Sequence, residues 1–209
     1  MNDDSVCTSS AWPDRRWSRP PLVLVGGPPA AGKTTLARRL ADALALPLWS
    51  KDIHVKEVLA EAFGVHTLED SRALGAPTFT IFYAVLGEWI AAGIGVVAEC
   101  NFRRGISERD LAPLLAGARP VLVHCQTTRD ECMRRYVARV QRGERHHGHA
   151  DPARIDLMRS DPSQLGWEAH QPLDLAVPTL VVDTTSGYAP DFEEIVAFVR
   201  SATGQPWNG

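Results

Sequence analysis

Eight consecutive residues of this chain have the types and spacing of a phosphate-binding loop. The segment 27–34 reads G-P-P-A-A-G-K-T and follows the apolar run 22–26. Its two glycines let the backbone curl so that successive N–H groups converge on a phosphate. In this pattern, known as Walker A, the lysine reaches the β- and γ-phosphates and the threonine hydroxyl binds Mg²⁺. We therefore predict a site for a nucleoside triphosphate and Mg²⁺ at Gly27, Pro28, Pro29, Ala30, Ala31, Gly32, Lys33, Thr34 and Thr35.

Two carboxylates that follow predicted strands could complete the chemistry of such a site. Asp52 comes just after the apolar run 48–50, at the sheet edge where parallel strands present residues to a cleft. A carboxylate there can orient an acceptor hydroxyl and take its proton, although aspartate is also common as a helix N-cap. Glu99 ends the run 95–99 and could bind Mg²⁺ together with Thr34, or it could face solvent. Asp52 is thus the best candidate for a catalytic carboxylate.

The stretch 129–159 is rich in arginine. It holds eight arginines against five acids, in a chain whose net charge is −3. Arginines at three- to four-residue steps could line one helical face and stabilise the charge on a transferred phosphoryl group. The alternative is a solvated basic helix whose arginines pair with nearby acids. This arginine series consists of Arg135, Arg139, Arg142 and Arg145. We expect it to contribute catalytic arginines to a mobile helical lid at about 139–165.

Three histidines lie within four residues of one another beyond this helix. His146, His147 and His149 precede Asp151 on a glycine-containing segment, and such groups can bind a metal. However, the i,i+4 spacing of helical ligand pairs is absent and no cysteine lies nearby. We therefore favour a loop that contacts substrate or stabilises the fold over a zinc site.

The composition argues against several classes of partner and location. A net charge of −3 disfavours an extended nucleic-acid interface. No apolar run approaches ~18 residues, so we expect no membrane span. The four cysteines lack metal-type spacing and suggest reduced thiols in a cytoplasmic protein. The chain has only three lysines, Lys33, Lys51 and Lys56, and all of them fall around the predicted cleft.

Strand and helix patterns alternate along the chain, which predicts a parallel sheet with helices on both faces. The predicted strands are 22–26, 48–50, 95–99, 121–125 and 180–183. Helices are expected at about 33–45, 53–63, 77–93 and 190–200, and after capping boxes at Ser107 and Thr128. Residues 64–76 are interpreted as a loop with a possible turn at Thr67. We predict an α/β fold of the P-loop NTPase class, with three layers (α/β/α), formed by 20–209 after a flexible tail at 1–19.

Absent motifs narrow the choice among nucleotide-binding proteins. Asparagine occurs only at positions 2, 101 and 208, so the Asn-Lys-x-Asp motif that reads guanine is missing. No apolar strand ends in Asp-Glu, which disfavours motor-type ATPases. What remains is transfer of a phosphoryl group to a second substrate.

Several motifs together resemble small P-loop kinases of the chloramphenicol phosphotransferase and zeta-toxin-like group. The motifs are the loop 27–34, Ser50-Lys51-Asp52, Glu99-x-Asn101-Phe102, the arginine-rich helix 129–145 and Asp183-Thr-Thr, in matching order over about 22–200. The resemblance implies an ATP- and Mg²⁺-dependent kinase that acts on a hydroxyl of a small molecule, with Asp52 as base. It also implies that lid arginines contact the phosphates, best matched by Arg139 and Arg142. Many relatives carry Asp at the position of Glu99. By the same resemblance, residues 64–76 would determine which acceptor is bound.

Two other functions are compatible with the same loop. A 5′-polynucleotide kinase shares the Ser-x-Asp pattern after the second strand, although the chain offers no basic groove interleaved with aromatic residues. A regulator that binds ATP without turning it over would need Asp52 to be dispensable.

Overall fold

Five strands form a parallel β-sheet. The computed structural model describes residues 17–161 and 167–204. The strands are β1 (Pro21–Gly26), β2 (Leu48–Ser50), β3 (Val96–Glu99), β4 (Arg119–Gln126) and β5 (Thr179–Asp183). They lie in the order β2-β3-β1-β4-β5, and every neighbouring pair is parallel. All five predicted strands are therefore confirmed, with ends that shift by at most two residues.

Helices cover both faces of this sheet. They are α1 (Lys33–Leu44), α2 (Glu57–Phe63), α3 (Leu68–Ala73), α4 (Gly75–Ala91), α5 (Ser107–Gly117), α6 (Arg129–Gln141), α7 (Asp151–Ser160) and α8 (Phe192–Thr203). Successive side chains of a strand point to opposite faces. Val23 and Val25 of β1 accordingly pack in a core with α1 and α8, whereas Leu22 and Leu24 pack with α4 and α5. The result is the predicted three-layer α/β/α arrangement.

The segment Lys51–Lys56 differs from the continuous helix expected from about residue 53. It forms a π-helical turn that leads directly into α2. The wider π-turn is rare and is often found at functional sites. Here it follows the carboxyl end of β2 and carries Lys51, Asp52 and Lys56, all of which line the same cavity.

Two local predictions are wrong. Residues 64–76, expected to be a loop, contain α3, whose N-cap Thr67 accepts a hydrogen bond from the backbone N–H of Asp70. The predicted turn at Thr67 is thus the start of a helix. Ser107 does not cap α5: it is the first helical residue, and its hydroxyl accepts from the N–H of Arg103.

The helical stretch Leu68–Ala91 corrects the expectation that no apolar run is long enough to cross a membrane. Its most apolar window has a mean hydropathy of 1.2, and 28% of that window is buried. By length and composition alone, this stretch is long and apolar enough to cross a membrane. A core helix of a globular protein passes the same test. Phe82, Leu86 and Ile90 are buried in the core between α4 and the sheet, which are the contacts of a core helix.

The lid, defined here as residues 129–160, comprises α6, a connecting segment and α7. Tyr136 of α6 packs against Ile155 and Met158 of α7. At Gly148, a Cβ atom would lie 2.2 Å from the Cβ of Ala60, so the connecting segment sits directly on α2. The predicted lid at about 139–165 includes 162–166, which lie outside the described residues, as do residues 1–16 of the predicted tail.

Candidate functional site

The loop 27–34 between β1 and α1 has the backbone that phosphate binding requires. Gly27 has φ = 134°, and a Cβ atom there would lie 2.2 Å from the carbonyl oxygen of Cys125, so only glycine fits. Gly32, with φ = 82°, is the N-cap of α1, and no side chain of residues 17–161 or 167–204 caps that helix. The first N–H groups of α1 therefore remain available to an anion.

Lys33 and Glu99 lie beside this loop. The Lys33 ammonium donates a hydrogen bond to the carbonyl of Pro28 at 2.8 Å. Glu99 is buried at the end of β3 and accepts a hydrogen bond of 2.6 Å from the Ser50 hydroxyl. Burial raises the pKa of Glu99, and the positive charge of Lys33 opposes that rise. Glu99 and Thr34 line the same cavity, so their oxygens fit a site for Mg²⁺.

Asp52 lies between two cations. Lys51 Nζ is 2.6 Å from one carboxylate oxygen, and Arg145 Nη2 is 2.9 Å from the other. Burial alone would raise the pKa of Asp52, but the charges of Lys51 and Arg145 outweigh it and hold that pKa well below its usual range. Asp52 is therefore ionised at neutral pH and can accept a hydrogen bond from a hydroxyl group.

Arg145 reaches Asp52 from the lid and is fixed there by lid residues. Its Nη2 lies 2.9 Å from Nδ1 of His149, and its Nε lies 3.4 Å from Oδ2 of Asp151. The hydroxyl of Tyr136 donates to the other oxygen of Asp151. Because each partner belongs to α6, α7 or the segment between them, the lid presents Arg145 to Asp52 as one unit.

The contacts of His149 define its tautomer. A guanidinium group can only donate, so Nδ1 of His149 must accept from Arg145. Its proton then lies on Nε2, which donates to Glu57 of α2 at 3.1 Å. Burial lowers the pKa of His149, which agrees with a neutral ring. Protonation of Nδ1 would remove the acceptor that holds Arg145.

The two arginines assigned to catalysis lie in the same cavity but differ in their surroundings. Nε and Nη2 of Arg139 are buried and have no hydrogen-bond partner among the described residues. Arg142 forms an ion pair with Glu144, and its side chain is 59% exposed. Since an unpartnered buried donor is costly, Arg139 is better suited than Arg142 to bind an anion.

One cavity of about 610 Å³ brings these groups together. Its cationic lining residues are Lys33, Arg38, Lys51, Lys56, Arg135, Arg139, Arg142, Arg145 and Arg154, and its acidic ones are Asp52, Glu57, Glu99 and Glu144. All three lysines of the chain are present, as expected. The excess of positive charge attracts anionic ligands. None of the residues 64–76, expected to govern acceptor choice, is among the described residues that line it.

The predicted nucleotide-binding residues divide into two groups. Those that line the cavity are Pro29, Ala30, Gly32, Lys33, Thr34 and Thr35. Gly27, Pro28 and Ala31 are buried instead. The second group shapes the loop rather than facing the cavity.

A second cavity of about 570 Å³ adjoins the first and shares Gly32, Thr35 and Arg135 with it. Thr184, which follows β5, also lines it and donates a hydrogen bond of 2.9 Å to the carbonyl of Ala31. Arg135 donates to the carbonyl of Thr184 at 2.7 Å. The first bond ties the Asp183-Thr-Thr turn to the phosphate-binding loop and the second ties it to α6. The turn thus lies at a place suited to the rest of a nucleotide.

His146 and His147 meet Glu61 of α2. His146 Nε2 lies 2.7 Å from Glu61 Oε1, and His147 Nδ1 lies 4.0 Å from it. The N–H of Gly148 donates to Nδ1 of His146, so the proton of the neutral ring is on Nε2 and points at Glu61. A histidine that binds a metal usually donates through its other nitrogen. The observed arrangement is that of a hydrogen bond between the lid and α2.

Some side chains that line the cavity had no role predicted from the sequence, among them Arg145, Lys56 and Arg154. Arg145 belongs to the recognised arginine series, but its position in that series did not distinguish it from Arg142. The available signal for Lys56 was the grouping of all three lysines around the cleft. His149 was predicted to lie in a loop that contacts substrate or stabilises the fold, but no sequence pattern indicated its hydrogen bonds to Arg145 and to Glu57 of α2.

Comparison with known proteins identifies relatives of this chain. The family described as "AAA domain" matches residues 22–164. A proposed kinase of Chloroflexus aurantiacus with a crystal structure is 34% identical, over 88% of this chain and 98% of that one, with a TM-score of 0.75. A shikimate kinase of Corynebacterium diphtheriae is 35% identical over 78 residues, which are 37% of this chain and 43% of the kinase. The chain thus spans less than half the length of the curated relatives it matches.

A more distant structure shares only the fold. The gluconokinase of Sinorhizobium meliloti is 19% identical over 91% of this chain and 96% of that one, with a TM-score of 0.52. The narrower resemblance to chloramphenicol phosphotransferases and zeta toxins stays a prediction. The match over 22–164 includes more than half of the chain. The chain therefore belongs to the AAA-domain family and has the fold of P-loop kinases.

Proposed function

We propose that this protein is an ATP-dependent phosphotransferase that transfers the γ-phosphoryl group to a hydroxyl of a small molecule. The observation that carries the proposal is the position of Asp52, which shares one cavity with Lys33 and Thr34 of the phosphate-binding loop. A kinase of this type needs an ionised carboxylate facing a triphosphate site.

Bound ATP supplies the phosphoryl group, and Mg²⁺ held by Thr34 and Glu99 would neutralise part of its charge. The uncapped start of α1 and the glycine backbone of the loop bind and orient the phosphates. Lys33, now bonded to Pro28, is close enough to this loop to exchange that carbonyl for a phosphate oxygen.

Asp52 orients the acceptor hydroxyl and takes its proton. The acceptor oxygen forms a bond to the γ-phosphorus, the bond from that phosphorus to the bridging oxygen breaks, and ADP leaves with the electron pair. Because Lys51 and Arg145 hold the pKa of Asp52 low, it is a weak base. It accepts the proton only as the new bond makes the hydroxyl acidic.

Arg139 is the lid residue that we assign to the transferred group. Its buried Nε and Nη2 have no hydrogen-bond partner among the residues described, and both can bind phosphoryl oxygens. Arg145, held on Asp52, limits where the acceptor can lie. Closure of the lid over the cavity would also exclude water from the reaction.

The relatives support an acceptor of this kind. The partial match to a shikimate kinase favours a small molecule with a hydroxyl group over a polynucleotide. We also place the reaction in the cytoplasm, where thiols stay reduced. Cys100, Cys125 and Cys132 are buried free thiols, in keeping with this location.

The test is acceptor-dependent release of ADP with Mg²⁺ and a panel of aminoglycosides, chloramphenicol, sugars, hydroxy acids, nucleosides and an oligonucleotide. Asp52→Asn should lower transfer by about 10²-fold and leave ATP affinity within a few-fold. The matched control is Asp156→Asn, on the exposed side of α7. It should change neither the rate of transfer nor the affinity for ATP.

Three outcomes would contradict the proposal. Full activity of Asp52→Asn would remove the catalytic role of that carboxylate. Tight ATP binding without turnover on any acceptor would favour a regulator. Phosphorylation of the oligonucleotide alone would favour a 5′-polynucleotide kinase.

A further inference from the structure

Lys56 is a buried cation without a direct partner. It ends the π-helical turn that carries Asp52, and it is 9% exposed. Among the described residues it forms no hydrogen bond and no ion pair. The guanidinium of Arg154, on α7, lines the same cavity and is likewise unpaired within that part of the chain.

The surroundings of Lys56 disfavour its positive charge when no ligand is bound. Burial lowers the pKa of Lys56 to about 8, and the charges of Lys51, Arg154 and Arg145 add to the effect, while Asp52 opposes it. Burying an ammonium group beside other cations costs free energy unless an anion compensates. A bound anion would remove that cost.

Lys56 and Arg154 belong to a different part of the cavity from the phosphate-binding loop. The charges that act most strongly on Lys56 belong to the π-helical turn and the lid. We call this part of the cavity the acceptor side, consisting of residues 51–57 and 145–154. Lys33, in contrast, is bonded to Pro28 and interacts with Glu99.

We propose that Lys56 and Arg154 form a binding site for an anionic group, a carboxylate or a phosphate, carried by the acceptor. This inference rests on the proposed function and narrows the acceptor to hydroxy acids or sugar phosphates. Asp52 would orient the reacting hydroxyl while the two cations bind the anion. A neutral polyol would leave both cations unpaired, so the site discriminates against it.

The experiment compares pairs of related acceptors with and without an anionic group, using the full chain with ATP and Mg²⁺. The carboxylate pairs are gluconate with glucitol and glycerate with glycerol, and the phosphate pair is glucose 6-phosphate with glucose. Binding of each compound is also measured by calorimetry without ATP. We expect binding and transfer with charged members only, and the two kinds of pair distinguish carboxylate from phosphate.

Variants then locate the charge preference. Lys56→Met and Arg154→Met should each raise KM for the charged acceptor by about 10- to 100-fold, with little change in KM for ATP. Arg159→Met, on the same helix as Arg154 and exposed, should leave both values unchanged.

The pH profile provides a readout that a merely structural role would not alter. In the parent protein, kcat/KM for the charged acceptor should fall above about pH 8, as Lys56 loses its proton. In Lys56→Arg the side chain stays charged, so this alkaline fall should disappear.

The outcomes separate the two proposals. Equal transfer to charged and neutral members, or an unchanged KM in Lys56→Met, would overturn the anion site while leaving the kinase intact. Charge-selective binding that depends on Lys56, with no transfer to any compound, would support the anion site and contradict the kinase.

Discussion

The two sides of the cavity are built in different ways. The phosphate side, residues 27–35 with Glu99, is one continuous segment beside one strand end. Its charged groups already have partners: Lys33 bonds to Pro28, and Glu99 bonds to Ser50. On the acceptor side, Arg145 reaches Asp52 across 93 residues of sequence, while Lys56 and Arg154 lack direct partners among the described residues.

This difference affects how much free energy each side of the cavity gains when its ligand binds. A partnered site keeps its shape before a ligand arrives, which reduces the cost of ordering it on binding. A site with unpaired cations is less stable when empty and gains more from the correct anion. We therefore infer that the phosphate side binds ATP whatever the acceptor. The acceptor side discriminates among acceptor molecules.

The largest effect is expected on the phosphate side. Lys33→Ala should lower turnover by about 10³-fold and abolish productive ATP binding, because no other lysine lies in the loop. ADP release and ATP calorimetry measure the two effects. Lys56→Met should leave ATP affinity intact, and equal losses of ATP binding in both variants would contradict the division into two sides.

The next effect distinguishes the two lid arginines first assigned to catalysis. Arg139→Ala should lower kcat by about 10²-fold, since its free donors suit the transferred group. Arg142→Ala should cost less than about fivefold, because an exposed ion pair contributes little. Single-turnover rates check both values, and unchanged rates in both variants would indicate a solvated basic helix.

A smaller effect concerns the hydrogen bonds of His149. His149→Gln can still donate near Nε2 but offers no acceptor to Arg145, so kcat should fall by about tenfold. His149→Asn places an oxygen near Nδ1 and should retain more activity. The order of the two rates, with ATP KM constant, is the measurement. If Gln were the better replacement, the contact with Glu57 would matter more than the one with Arg145.

The smallest effect tests how the lid sits on α2. Gly148→Ala adds a Cβ atom 2.2 Å from that of Ala60, which should lift the connecting segment and lower kcat/KM for the acceptor by about fivefold. Gly75→Ala is the control, because no atom of the part of the chain that the structure describes lies within 4 Å of its Cβ position. An unaffected Gly148→Ala protein would show that the lid contact does not shape the acceptor side.

Local sequence patterns accounted for much of the fold, and the exceptions have physical causes. The strands β1 and β3 are buried along their whole length and β4 is buried along its middle, so their apolar pattern was clear. The short β2 and the more exposed β5 also begin with or contain apolar residues. The helix α3 is only six residues long, too short for a clear apolar period, and its cap at Thr67 resembled a turn. Ser107 failed as a cap because its hydroxyl binds the N–H of Arg103.

The arginine series shows the same limit within the site. A continuous helix would place Arg139, Arg142 and Arg145 on one face. However, α6 ends at Gln141, and Gly143 adopts φ = 64° just beyond it. Arg142 therefore pairs with Glu144 at the surface, whereas Arg145 turns inward to Asp52. The end of one helix decided which arginine enters the cavity.

The sequence by itself determined the phosphate-binding loop, the sheet and the candidate roles of Lys33 and Asp52, because each depends on neighbouring residues or on burial along one element. The tertiary structure decided what surrounds Asp52. Arg145 and His149 approach it from a lid distant in the chain, and Arg154 of the same lid lines the same cavity. Their positions depend on how that lid packs on α2. A charge acts through space, so the pKa values of Asp52 and Lys56 were set only when these segments came together.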